Sequence, residues 1–322
     1  MITRYDFAPL DGITKTVFRR VWHDRFGGAD RYFIPFFSPT SDHLMTPRDL
    51  KELDRSRNEG MELVPQVMTR RAEDFLWATE IVKDLGYTEA NLNLGCPSGT
   101  VTAKGKGSGF LSRPDELEAF FDEVFSKVTI PVSVKTRLGI HDPEEFHRLL
   151  EIYNRYPISC LTIHSRVQKQ FYKGEVHMDT FTWALAESKN PVCYNGDLNT
   201  VEDIRTFEQR FPTVDAVMIG RGAIGDPALL RKIRGGSAAT REELQAFTQE
   251  LYQSYQEFYD GQAAQAAQRM KEVWFYMIHL FEGGERLERK MRRTRNPREI
   301  EMLEASIFAE LPMLDHVEGP FV

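Results

Sequence analysis

Cysteine is scarce. The 322 residues hold three, Cys96, Cys160 and Cys193. Three cannot form a disulfide framework, and they point to a reducing compartment. Long apolar runs are missing as well. No stretch approaches the roughly 18 apolar residues that span a bilayer. The opening Met1-Ile2-Thr3-Arg4-Tyr5-Asp6 lacks the apolar core of an export signal, so the expectation is a cytoplasmic protein with no membrane partner. The eight histidines are scattered and no Cys/His pair has zinc-ligand spacing, so no metal site is expected. Basic charge is in deficit, 41 Lys+Arg against 48 Asp+Glu, for a net charge of −7. That balance speaks against non-specific binding to nucleic acid.

Short apolar or β-branched runs recur at regular spacing: Tyr5–Leu10, Tyr32–Phe37, Glu62–Val67, Ala90–Leu94, Val132–Thr136, Cys160–His164, Val192–Asn195 and Val217–Gly220. Segments with helical periodicity lie between most of them, such as Ala72–Leu85, Asp115–Phe125, Pro143–Tyr156 and Val201–Arg210. Ser112, Asp142 and Thr200 stand where N-caps are wanted. Eight strand–helix repeats predict a closed parallel (β/α)₈ TIM barrel. An open doubly wound sheet would carry a glycine-rich fingerprint after its first strand. Ala8-Pro9-Leu10-Asp11-Gly12 is not one. The barrel is expected over residues 1–234, followed by a linker at 235–240. Residues 241–322 are strand-poor and predict a small all-helical C-terminal domain packed on itself and on the barrel.

Active sites of such barrels sit at the C-terminal ends of the strands. Those ends are chemically loaded here: Gln66, Asn93 and Cys96, Lys135 and Arg137, His164 and Arg166, Asn195 and Asp197, then Gly220-Arg221-Gly222. The last two segments suit a phosphate, although glycines also simply end crowded strands. Lys135 lies within an apolar strand and needs either an anionic partner or a task. Cys160 and Cys193 fall inside strand runs and are expected to pack. Cys96 instead follows a strand and opens a sixteen-residue connection, Pro97 to Ser112, long enough to suggest a substrate lid. A Cys–His hydrolase using Cys96 and His164 is open on paper, but it leaves Lys135 and the phosphate loops without a role.

These segments resemble the tRNA-dihydrouridine synthases. The resemblance is carried by Ala8-Pro9-Leu10-Asp11-Gly12, by Asn91-Leu92-Asn93-Leu94-Gly95-Cys96-Pro97-Ser98 with Gly105 to Leu111 behind it, by Val134-Lys135-Thr136-Arg137-Leu138-Gly139, by His164-Ser165-Arg166, by Asn195-Gly196-Asp197 and by Met218-Ile219-Gly220-Arg221-Gly222. It implies FMN at the barrel mouth and reduction of a uridine in tRNA to 5,6-dihydrouridine, with NADPH as reductant. By position it implies Pro9 and Leu10 against the flavin, Gln66 bonded to its ring and Lys135 near its N1/O2 edge. His164, Asn195, Asp197, Gly220 and Arg221 would hold its tail or its surroundings. Asn93 would face the uracil, and Cys96 would be the general acid that protonates C5 after hydride reaches C6. Arg137 and Arg166 would contact tRNA. The resemblance also implies a monomer. Leu10 stands where the family more often has Met, an apolar exchange.

Two other readings remain beside it. One is a flavin barrel acting on a small pyrimidine or enone. The other is a degenerate barrel that only binds RNA. The tail separates the first two readings. From Arg286 to Arg298 the chain carries seven basic residues against one acid, Glu288. Arg286, Arg289, Lys290 and Arg293 fall at i, i+3, i+4 and i+7, one face of a helix. That face reads as an RNA contact, or else as a solvated helix neutralised by Glu299, Glu301 and Glu304. Lys104 and Lys106, beyond Cys96, would be a second contact. The −7 total is then an average of an acidic body and a concentrated basic strip.

Overall fold

A computed structural model of the chain describes residues 2–318 and 321. Eight parallel strands close into a barrel in sequence order. They are β1 (Arg4–Phe7), β2 (Arg31–Phe37), β3 (Leu63–Val67), β4 (Ala90–Leu94), β5 (Val132–Arg137), β6 (Leu161–His164), β7 (Val192–Asn195) and β8 (Ala216–Ile219). Closure is the pairing of β1 with β8, with Phe7 beside Ile219. The strands are covered on both faces, which is why they read as apolar runs.

Strand alternation sorts the side chains into two clusters. Phe7, Tyr32, Ile34, Leu92 and Leu94 belong to the large core between strands and helices. Ala8, Phe33, Val64, Cys160, Cys193 and Met218 form a smaller one, in the alternate phase of the same strands, which is the barrel interior. Cys160 and Cys193 are buried there, as their strand positions lead one to expect. The interior also carries a polar ladder. Gln66 Nε2 donates to Asn91 Oδ1 at 2.7 Å and Asn91 Nδ2 to Ser133 Oγ at 2.9 Å. Such groups survive burial because each finds a partner.

The helices follow the periodicity closely. Val201–Arg210 is met residue for residue, and Thr200 closes a capping box with Asp203. Asp142 caps its turn in the same way, but the segment begins as a 3₁₀ turn, Pro143–Glu145, before the helix Phe146–Tyr153. Ser112 does not cap the next helix. The N-cap of Pro114–Lys127 is Arg113, without a side-chain cap, because residues Gly107–Ser112 are themselves wound into 3₁₀ turns.

The expected lid is largely not one. Gly99–Thr102 forms a short helix, and residues 107 to 111 are buried. The stretch around Ser98 to Lys106 reaches the surface, as does Ser112 at its end. Tight turns anchor this segment to the barrel instead of leaving a long irregular loop.

The C-terminal region holds the helices Arg241–Phe258, Ala263–Met277, Glu285–Arg293 and Pro297–Glu310. Thr240 opens the first with a capping box to Glu243. Phe247 is fully buried, edge-on to Phe18 and Phe26 of the barrel at 6.0 and 5.3 Å. Burying such a ring contributes roughly 1.5–3 kcal/mol. A single apolar cluster runs from the barrel helices into this region, so the helices are set against the barrel by a shared core.

Candidate active site

One cavity of about 300 Å³ opens at the C-terminal ends of the strands. That is enough for a small cofactor or substrate. Pro9 and Leu10 line it from β1, Asn93 and Cys96 from β4, and Lys135 and Arg137 from β5. His164 follows from β6, Asn195 and Asp197 from β7, and Gly220 and Arg221 from β8. The structure therefore brings together eleven of the thirteen strand-end residues singled out for cofactor, uracil, catalysis or rim contact.

The exceptions are Gln66 and Arg166, neither of which lines the cavity. Gln66 is fully buried. Its Oε1 accepts from Asn93 Nδ2 at 2.7 Å while its Nε2 serves Asn91. Gln66, expected at the flavin ring, thus has its amide engaged beneath Asn93, which it orients. Asn93 Oδ1 in turn accepts from the backbone N–H of Gly95 at 3.0 Å and of Cys96 at 2.9 Å. A chain of amides running from the barrel interior fixes the turn that carries the thiol.

Arg137 and Arg166, expected as RNA contacts, are both engaged within the protein. Both are about 2% exposed or less. Arg137 donates to the carbonyls of Gly95 at 2.9 Å and Val167 at 3.1 Å, tying β4 to β6 across the rim. Arg166 donates to Gly174 O and pairs with Asp197. A sequence cannot distinguish a rim arginine that reaches outward from one that folds back onto free carbonyls.

Asp197 is held between Arg166 and Arg221, whose Nη2 lies 2.7 Å from Oδ1. Two guanidinium groups on one carboxylate leave the corner net positive. His164 sits beside it. Burial lowers its pKa, and Arg137, Lys135, Arg166 and Arg221 lower it further, so the imidazole is held neutral. The glycines of the last loop divide between the two readings given for them. Gly220 lines the cavity. Gly222 does not, and a Cβ there would sit 2.6 Å from the carbonyl of Leu198, so this glycine serves close packing.

Lys135 Nζ donates to Asn195 Oδ1 at 2.8 Å, and Asn195 Nδ2 donates to the carbonyl of Met218 at 2.8 Å. Among the described residues no carboxylate pairs with Lys135. Burial, with Arg137 adding repulsion, pushes its pKa down to about 7. Cys96 is half-buried, and burial raises its pKa despite the N–H of Ser98 and the nearby cations. The thiol therefore stays protonated at neutral pH. Behind it Ser108 donates from N–H and hydroxyl to the Cys96 carbonyl, at 3.1 and 2.8 Å.

Two aromatic residues join the site without any forewarning in the sequence. Tyr172 stands between the guanidinium groups of Arg137 and Arg221, 5.3 and 5.2 Å from its ring centre. Tyr276 reaches the cavity from the Ala263–Met277 helix, so the C-terminal region supplies part of the wall. Neither carries a local signal, because one lies in a loop and the other in an ordinary amphipathic helix.

The basic helix Glu285–Arg293 buries Leu287 and Met291 and exposes Arg286, Arg289, Lys290 and Arg293. None of the four lines the cavity. Arg286 lies 3.9 Å from Glu310, and among the described residues the other three have no ion-pair partner. The neutralising acids do not act as expected. Glu299 accepts from the hydroxyl of Thr294, and Glu304 is half-buried. Lys104 is exposed and Lys106 half-buried.

Comparison with known proteins agrees with this arrangement. The chain is 29% identical to tRNA-dihydrouridine synthase B of Pasteurella multocida over 71% of its length and 68% of that protein's. It is 31% identical to a probable tRNA-dihydrouridine synthase 1 of Synechocystis over 83% of this chain and 76% of the other. Among solved structures, morphinone reductase shares the fold at 13% identity and a TM-score of 0.52, over 74% of this chain and 87% of that one. A histamine dehydrogenase of Rhizobium does so at 12% identity and 0.54, over 76% of this chain and 46% of the other. The family profile described as dihydrouridine synthase matches residues 6–311. With that match spanning nearly the whole chain and the closed barrel bearing its strand-end residues, the chain belongs to the dihydrouridine synthase family.

Proposed function

We propose that this chain reduces a uridine in tRNA to 5,6-dihydrouridine, with FMN resident at the barrel mouth and NADPH as the reductant. One observation carries the reading. A single cavity holds a thiol that burial keeps protonated and a buried lysine with no carboxylate partner among the described residues. The residues fit FMN on their own chemistry. Leu10, Ile13, Met218 and Ile219 give an apolar wall for a ring system. His164, neutral among four cations, lies where an anion is wanted. Arg221, Asn195 and Gly220 would serve its phosphate-bearing tail, with Asp197 holding Arg221 in place, and Pro9 and Leu10 would lie along the ring.

When bound, FMN supplies the hydride that reaches C6 of the uracil. Lys135 offsets negative charge at the face it lines, and an anion there would return its ammonium to the charged state. Asn93, fixed by Gln66, presents its amide beside the base. Cys96 donates the proton that completes C5, which requires the thiol and not the thiolate. The uridine must leave its stack to enter the cavity. Arg289, Lys290 and Arg293, free of acid partners among the described residues, would meet RNA phosphates together with Arg286, Lys104 and Lys106. Such an enzyme would act in the cytoplasm, where its three thiols stay reduced, and as a monomer.

The test is Cys96→Ala in the purified, yellow holoenzyme. The variant should keep its flavin and the reduction of that flavin by NADPH, yet lose most turnover on tRNA, read as dihydrouridine by mass spectrometry. Normal turnover, or a colourless wild-type protein, overturns the reading.

A further inference from the structure

A second cavity, of about 450 Å³, lies where the helical region meets the barrel. Its barrel wall carries Lys15, together with Arg48 and Lys51 of the short helix Pro47–Leu53. The opposite wall is the end of the Arg241–Phe258 helix, with Tyr255, Phe258 and Tyr259. One ion pair stands between this cavity and the catalytic one. Lys15 lines the second cavity and bonds at 2.9 Å to Asp11, which lines the first. Arg269 braces the same partition, donating to the carbonyl of Gly12 at 2.9 Å.

The lining is cationic and aromatic. Of its four cations, Lys15 is paired with Asp11 and Arg269 with Glu272, while Arg48 and Lys51 face two acids, Glu52 and Asp260. Glu52 is already committed, accepting from the N–H of Thr16 at 2.9 Å and pairing with Arg19 at 3.4 Å. Arg48 and Lys51 are exposed and have no carboxylate partner among the described residues. The Lys51 ammonium lies over the Phe258 ring at 5.3 Å, and Tyr259 meets Phe258 edge-on at 5.2 Å. Tyr255 is 2% exposed, and its hydroxyl has no hydrogen-bond partner among the described residues. A buried hydroxyl is rarely left so.

We propose that this cleft binds one nucleotide of the RNA substrate flanking the extruded uridine. Its base lies against Tyr259 and Phe258, and its phosphate against Arg48 and Lys51. The proposal rests on the tRNA-reducing function above. Extruding a base draws its neighbouring backbone across the cavity mouth, and the Lys15–Asp11 pair stands between that mouth and the cleft. Aromatic rings interleaved with unpaired cations are the chemistry by which single-stranded nucleic acid is held.

Steady-state kinetics of the FMN-loaded full chain on a tRNA transcript test this. Arg48→Glu with Lys51→Glu should raise KM for tRNA about tenfold or more while kcat changes little. Its salt dependence should flatten by about 0.7–0.9 log units per log unit of salt for each phosphate no longer neutralised. Tyr259→Ala should raise KM at least fivefold, and Tyr259→Phe should restore it. Lys83→Glu with Lys127→Glu, an equal charge change on the outer barrel helices, should do neither. A transcript carrying 4-thiouridine beside the target position should crosslink under ultraviolet light within residues 255–265. Unchanged KM in the cleft variants of an enzyme that still forms dihydrouridine overturns the proposal. So does a raised KM for NADPH with that for tRNA unmoved, which assigns the cleft to the dinucleotide. If the wild type forms no dihydrouridine on any tRNA, the function itself fails, and the crosslink alone decides whether RNA occupies the cleft.

Discussion

Gly107→Ala probes the coupling between the 3₁₀ segment and the thiol in front of it. Gly107 has φ +56°, and an added Cβ would lie 2.8 Å from the Cys96 carbonyl oxygen, 3.0 Å from Val101 Cγ1 and 3.1 Å from Cys96 Cβ. The left-handed backbone alone costs an alanine about 1–2 kcal/mol. Overpacking adds roughly 1–3 kcal/mol if nothing moves. The strain is relieved if the Cys96 turn retreats by a few tenths of an ångström, the shift such contacts require. A misplacement of about 1 Å at a reacting group costs on the order of 100-fold, so this retreat should slow proton delivery roughly 3- to 10-fold. The expected result is normal flavin content, normal flavin reduction by NADPH, a melting temperature lower by several degrees and dihydrouridine formation reduced by that factor. Gly99→Ala is the control, since its Cβ meets nothing within 4 Å. Unchanged turnover and melting in Gly107→Ala, or an equal defect in Gly99→Ala, would refute the reasoning.

Lys135 makes stability depend on pH. Its pKa falls from 10.5 unfolded to about 7 folded, so between those values the unfolded chain binds more protons. The flavin-free protein should therefore gain stability as pH rises from 7 towards 10, by at most about 1.4 kcal/mol per unit. Lys135→Met should lose that gain, and parallel urea-unfolding profiles for the two proteins would contradict it. Asp197→Ala leaves Arg166 and Arg221 facing each other without a counter-charge. A melting point lowered by several degrees, partly restored by inorganic phosphate, is expected, and an unchanged one removes the role given to this corner. Arg289→Glu with Arg293→Glu should weaken tRNA binding and flatten its salt dependence while NADPH-driven flavin reduction stays the same. Equal binding at low salt would move the RNA surface elsewhere.

Much of the fold was legible because its signals are local. Parallel strands covered on both faces must be apolar, and the helices between them must be amphipathic, so the eight repeats appear in the linear chain. Barrel architecture also places active sites at one end of the strands, which made Cys96, Lys135 and His164 candidates from their positions alone. The helix Val201–Arg210 and its Thr200 cap were readable to the residue, because capping is decided within one turn.

Side-chain direction at the rim was not legible. Arg137 and Arg166 have the composition of RNA contacts, yet both turn inward, because the free carbonyls of Gly95, Val167 and Gly174 and the carboxylate of Asp197 meet only in the closed barrel. The engagement of the Gln66 amide was not legible for the same reason, since its partners Asn91 and Asn93 belong to the next strand.

The sequence by itself determined the barrel, its loaded rim, the thiol beyond β4 and the basic strip near the end of the chain. These depend on periodicity, on strand position and on residue chemistry. Only the tertiary structure decided which rim groups are free. Among the described residues it left Lys135 without a carboxylate, and it kept the Cys96 thiol protonated by burial and brought Tyr276 and the Tyr255–Tyr259 cleft to the barrel from more than a hundred residues beyond Lys135. Burial and charge pairing are sums over neighbours that are distant in sequence, and those neighbours exist only once the barrel has closed and the helices have docked on it.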